Sequence, residues 1–178
     1  MKMRLLLPLA GLVLVAAALP GPADDSGRAK DLIKSMVGSW DCETSFAGFP
    51  PSKGSEEVKP LAHGLSCVIT ATSKEAMGPG MPAFEGHGLF GYDPKQKKWL
   101  HAWVDNTDTS FDVTEGTWSE DGKTFTIEQA IDMGRGPQEM VLTSKITSAD
   151  TRTFTMVVKN APADATPMLT MTYKRHAP

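Results

Sequence analysis

From Ser39 onward apolar and polar residues alternate. "SWDCETSF" sets Trp40, Cys42, Thr44 and Phe46 against Ser39, Asp41, Glu43 and Ser45. "LSCVITAT" sets Leu65, Cys67, Ile69 and Ala71 against Ser66, Val68, Thr70 and Thr72. Period 2 marks a strand with two unlike faces. A shorter strand is expected near 55–59, and others near 110–118, 123–130, 139–147, 153–159 and 168–176. Their separators, "SEDG", "DMGRGPQ", "TSADT" and "NAPADATP", are turn chemistry. The glycines and prolines of "SKEAMGPGMP" make 73–82 a loop. The period changes only at 26–36, where Ala29, Leu32, Ile33 and Met36 recur at helical spacing. Ser26 can cap that helix and Gly38 suits its exit. Many short strands joined in sequence after one short helix predict an all-β fold. An antiparallel up-and-down barrel is favoured over a sandwich because closure removes exposed edges.

"FGYDPKQKKWLHAWVDN" reads as strand, tight turn, strand. Asp93-Pro94-Lys95-Gln96 suits a type I turn with Pro at its second position. A four-residue loop at 94–97 pairs Asp93 with Lys98, Tyr92 with Trp99 and Phe90 with His101. It also sets Gly88 against Trp103 and Gly86 against Asp105, so the glycines leave room beside an indole. Phe90, Tyr92, Trp99, His101 and Trp103 then share one face. Such a row is either packed core or the wall of a small-molecule pocket. The other face, Leu89, Leu100, Ala102 and Val104, is also apolar, and is expected to pack beneath Leu32 and Ile33 of the helix. Asp105 is expected to tie down the turn that follows it.

The N-terminus adds a compartment. Lys2 and Arg4 precede an apolar run from Leu5 to Leu19, and Gly21 and Ala23 supply small residues at a cleavage site. This pattern is that of a signal peptide, 1–23, ahead of a single domain, 24–178, exported to the periplasm or outside the cell. The run is short for a membrane span. Removing 23 of the 178 residues leaves 155, and loss of Lys2 and Arg4 leaves 16 basic against 21 acidic residues, a net charge of −5. With no basic run, nucleic acid and anionic membranes are poor partners. The two cysteines, Cys42 and Cys67, invite a disulfide in an oxidising compartment, with buried free thiols as the alternative.

Catalytic chemistry finds less support. His101 and Asp105 stand roughly 13 Å apart along one strand, too far for a base and its orienting carboxylate. There is no Gly-x-Ser-x-Gly elbow, phosphate loop, dinucleotide fingerprint or zinc spacing. Met77 and Met81 flank "GPG" as possible copper(I) thioethers, but apolar contact explains them better. No cofactor is called for. A lone interior histidine such as His101 leaves haem ligation as an alternative.

Gly38-Ser39-Trp40 on the first strand and Arg175 on the last resemble the calycin superfamily, in which the arginine packs over the indole and seals one barrel end. A longer pattern is more specific: "VGSW", "HGLS", the hairpin, "EGTWSEDGKTFTI" and "MTYKR". It resembles the bacterial proteins grouped as domain of unknown function fifteen seventy-nine. Gly91-Tyr92-Asp93 and Trp103-Val104-Asp105 carry most of the likeness. The resemblance implies a calycin/lipocalin-like β-barrel and no established reaction. The pattern has a small polar residue where this chain has His101, so no family role transfers to that histidine. The sequence therefore supports non-catalytic binding of a small, largely apolar molecule, with Phe90, Tyr92, Trp99 and Trp103 as wall and His101 as polar contact. A hydrolase in the same cavity and a structural barrel with a filled core are the alternatives.

Overall fold

The computed structural model describes residues 25–76, 82–107, 110–132, 136–162 and 164–176. The expected signal peptide, and Met77 and Met81, lie outside them. Among the described residues the chain forms one helix, α1 (Asp25–Met36), and ten strands. These are β1 (Gly38–Phe46), β2 (Ser52–Pro60), β3 (Ser66–Ala76), β4 (Ala83–Asp93), β5 (Lys98–Asp105), β6 (Asp112–Trp118), β7 (Thr124–Asp132), β8 (Pro137–Ser148), β9 (Thr151–Val158) and β10 (Leu169–Arg175). Each strand pairs antiparallel with the next, and β10 returns to β1 to close the barrel. The alternation of β1 is realised in its burial, with Trp40, Cys42 and Thr44 inside and Asp41, Glu43 and Ser45 outside. β3 runs through Ala76, past the expected start of the loop, by shifting register between Thr72 and Ala76.

α1 closes one end of the barrel. Ala29, Ile33 and Met36 are its buried face, and Ile33 and Met36 join the barrel core. Asp25 in the first turn and Lys34 in the last suit the helix dipole. The Trp40 indole donates to the Met36 carbonyl at 2.9 Å and ties the helix exit to β1. The helix packs against β2, β3 and β4, across the end of the barrel and not along its side. This corrects the expectation for the aliphatic face of the hairpin. Leu89 is 49% exposed and Val104 39%, so that face meets solvent. With Val68 and Val113 it forms a cross-strand apolar row on the barrel's outer wall.

Two arginines pack at the closed end. The Arg175 guanidinium lies 4.2 Å from the centre of the Trp40 indole and donates to the carbonyls of Val37, Ser35 and Ala149. Gly38 makes room for it. Its φ of +131° is open to glycine, and a Cβ would fall 2.5 Å from the Arg175 Nη1. Arg152 sits between Trp40 and Tyr173, 4.6 and 4.2 Å from the two ring centres, and is ion-paired with Glu56.

The disulfide does not form. Cys42 and Cys67 are both free and buried. β2 stands between their strands: Cys42 is opposite Gly54 and Cys67 opposite Pro60. Two strand spacings alone are roughly 9.5 Å, beyond the reach of about 7 Å between bridged Cα atoms. Burial pushes the Cys67 thiol up to about 12, and desolvation also raises Cys42. Both behave as small core hydrophobes.

Candidate functional site

The β4–β5 hairpin has the register that its turn dictates. Asp93 pairs with Lys98, Tyr92 with Trp99, Phe90 with His101, Gly88 with Trp103 and Gly86 with Asp105. Asp93 shapes the turn by accepting from the backbone N–H groups of Lys95, at 2.8 Å, and Gln96, at 3.2 Å. Those bonds, Gln96 first, hold its carboxyl below the usual carboxylate range. Gly91 faces Ser66 on β3, where a Cβ would come within 2.6 Å of the serine's.

The aromatic row divides into two groups. Toward the mouth away from α1, Trp103 lies over Gly88, where a Cβ would fall 2.8 Å from the ring. Phe84 and His101 stack beside it, their ring centres 6.5 and 5.8 Å from that of the indole. The Trp103 N–H donates to Asp105 at 2.9 Å, and the other Asp105 oxygen accepts from the N–H and hydroxyl of Thr107. Asp105 thus ties both the indole and the following turn. Desolvation lowers His101 to about 4. No serine hydroxyl among the described residues bonds to it.

Toward α1 the second group is packed. Phe90, 2% exposed, stacks on Trp99 at 5.2 Å and meets Phe125 edge-on at 4.9 Å. Trp118 joins from β6, 5.9 Å from Trp99 and 5.3 Å from Phe125. Tyr92 lies 5.4 Å from Trp99 at the edge of this cluster. Phe90 is therefore core, and it separates His101 and Trp103 from Tyr92 and Trp99.

A cleft of about 530 Å³ opens beside that packed group. It exists because β6 and β7 pair over only three positions, Gly116 with Ile127, Thr117 with Thr126 and Trp118 with Phe125. α1 borders this side, where Arg28 donates to the Ser119 and Glu120 carbonyls and Leu32 lies beside Gly122 of the β6–β7 turn. Tyr92, Trp99 and Trp118 supply the aromatic wall, Ala29 and Leu32 the helical one, and Arg28, Lys97, Lys98, Asp25, Glu115 and Glu128 the charged rim. Desolvation and the nearby Asp25 carboxylate raise the Tyr92 phenol.

A sequence model described as "Protein of unknown function (DUF1579)" matches residues 25–175, the helix and all ten strands. The chain belongs to the DUF1579 family. No curated protein matches it in sequence. In fold, this DUF1579 barrel is similar to the S-type phycobiliprotein lyase CPES from Guillardia theta, at 13% identity and a TM-score of 0.53, over 88% of this chain and 99% of that one. It is also similar to a redesigned β-barrel, mFAP0, bound to DFHBI, at 12% identity and a TM-score of 0.44, over 79% and 99% of the two chains. The likeness to the lyase concerns the fold alone.

Of the five residues singled out as a wall, the DUF1579 barrel brings Tyr92 and Trp99 to the cleft and keeps Phe90, His101 and Trp103 away from it. Trp118, Arg28 and Lys97 were missed. "EGTWSEDG" carried a signal, since Thr114, Gly116 and Trp118 alternate with Val113, Glu115 and Thr117 and put the indole on the inner face. Nothing in the sequence marks Arg28 or Lys97, because only the docking of α1 and the turn brings them together. Other histidines play no part in the site: His176 contacts Asp41 at 3.2 Å on the surface, and His87 contacts Glu85 at 3.1 Å.

Proposed function

We propose that this protein is an exported barrel that binds a small, largely apolar molecule without catalysis, in the cleft between α1 and the β6–β7 seam. The observation that carries the reading is the meeting of Tyr92, Trp99 and Trp118 on one side of a space of about 530 Å³. Small-molecule pockets have this size and this mixture of apolar walls with a few polar groups. Aromatic faces offer a flat or hydrocarbon body large contact areas at little entropic cost. The wall is rigid, since Trp99 and Trp118 are backed by Phe90 and Phe125. A hydrolase would need a nucleophile beside a base, and no serine hydroxyl among the described residues is seen bonded to the His101 ring. Export rests on the charged start, apolar run and small-residue site of residues 1–23, and intact mass of the exported protein should begin at Asp24.

Native mass spectrometry of the protein purified from its own host tests the binding reading. A discrete added mass that is lost on denaturation supports it, and disappears in Trp99→Ala. A bare chain mass, with no shift on adding apolar molecules, contradicts it.

A further inference from the structure

The rim of the cleft carries charges of both signs, and most of them cancel. Lys98 pairs with Glu115 at 2.6 Å. Glu128 is taken by Lys159, also at 2.6 Å. Arg28 differs, because its bonds are to the carbonyl oxygens of Ser119 and Glu120, at 2.7 and 3.1 Å. Carbonyls fix the guanidinium in place and leave its full charge uncompensated. Lys97 holds the last position of the hairpin turn, with φ +55°, and forms no ion pair among the described residues. The amino end of α1 adds the positive pole of a twelve-residue helix to the same rim. Against these, among the described residues that line the cleft, stands Asp25. The cleft therefore has an aromatic wall and a rim with an excess of positive charge, although the chain as a whole is acidic, with a net charge of −3.

We propose that the ligand is an amphipathic anion. Its apolar body lies against Tyr92, Trp99 and Trp118, and a single carboxylate or similar group sits at the rim between Arg28 and Lys97. The division of labour is physical. Burial of the body supplies most of the affinity. The exposed cations add a charge-assisted contact that orients the molecule and selects against neutral and cationic analogues. Arg28 is suited to this because its planar fork is already held by two carbonyls, so little freedom is lost when it meets an anion. This inference rests on the cleft being the ligand site, as proposed above, and adds the chemical class.

The test uses two probes of one shape, 2-naphthoate and 2-naphthamide, titrated against the whole protein by tryptophan fluorescence and calorimetry at low salt. Naphthoate should bind about fivefold or more tightly than the amide, and the difference should shrink at high salt. Lys97→Asn, which keeps a residue at ease with positive φ, and Arg28→Gln should each reduce the ratio of naphthoate to amide affinity. Thermal melts of both variants check that α1 still docks. Equal affinities for the two probes would overturn the anion assignment and leave the apolar site standing. Failure of both probes to bind would overturn the site as well.

Discussion

Arg152 and Glu56 form an ion pair inside the closed end of the barrel, with side chains only 6% and 7% exposed. The guanidinium is clamped between Trp40 and Tyr173, and its Nε finds no partner. The carboxylate's charge reaches further. After desolvation, it is the next cause of the rise in Tyr173 and in Cys67. Breaking such a pair from one side strands a charge away from water.

Arg152→Met should therefore cost about 3–5 kcal/mol in chemical denaturation at pH 7. The double variant Arg152→Met, Glu56→Gln should recover a substantial part of it. If the single and double variants are equally unstable, the pair is not what the end of the barrel depends on.

Gly88→Ala should destabilise the barrel by about 1–3 kcal/mol, because its Cβ would fall 2.8 Å from the Trp103 ring and 3.4 Å from the Ala102 carbonyl oxygen. The indole must tilt, which should weaken its bond to Asp105 and change the near-ultraviolet circular dichroism. A variant as stable as the parent with an unchanged spectrum would mean that Trp103 does not lie across the glycine.

The hairpin shows how far the sequence reaches. An even loop and the Asp93-Pro94 turn determine every pairing from Asp93–Lys98 to Gly86–Asp105, and the structure has them all. Alternation likewise sorts Trp40 from Asp41 and Cys67 from Val68. The cysteines fail for a topological reason: alternation says that both point inward, and only the pairing order puts β2 between them. The buried ion pair had a local sign, since Arg152 shares a strand face with Phe154 and Met156, and Glu56 with Val58. Its partnership spans 96 positions and is set by barrel closure, which no local pattern contains. The cleft is invisible for the same reason. It is made by a short β6–β7 seam and by where α1 comes to rest.

His101 should titrate near 4 in the folded protein, against about 6.5 when unfolded, because desolvation disfavours the imidazolium. Between those values the unfolded chain holds the extra proton, so stability should fall as pH drops from about 6.5 to about 4 and gain no further loss from this group below that. NMR titration of the ring protons gives the folded value directly. His101→Gln should flatten that part of the stability profile. A midpoint near 6.5 would place the ring in water.

The thiols should be unreactive in the native state. Cys67 is fully buried, and its thiol is raised to about 12. Alkylation without a reductant should leave native protein unmodified at pH 8 and add two labels after unfolding in denaturant. Protein that takes no label when unfolded would carry the bridge that the barrel's strand order rules out.

The most direct measurement reads the four tryptophans separately. Each indole N–H gives its own signal in a nitrogen–proton correlation spectrum, assigned by single replacement of Trp40, Trp99, Trp103 and Trp118. On titration with 2-naphthoate, the signals of Trp99 and Trp118 should move together and saturate, while those of Trp40 and Trp103 stay in place. Shifts confined to Trp103, or no saturable shift at Trp99 and Trp118, would contradict binding in the cleft beneath α1.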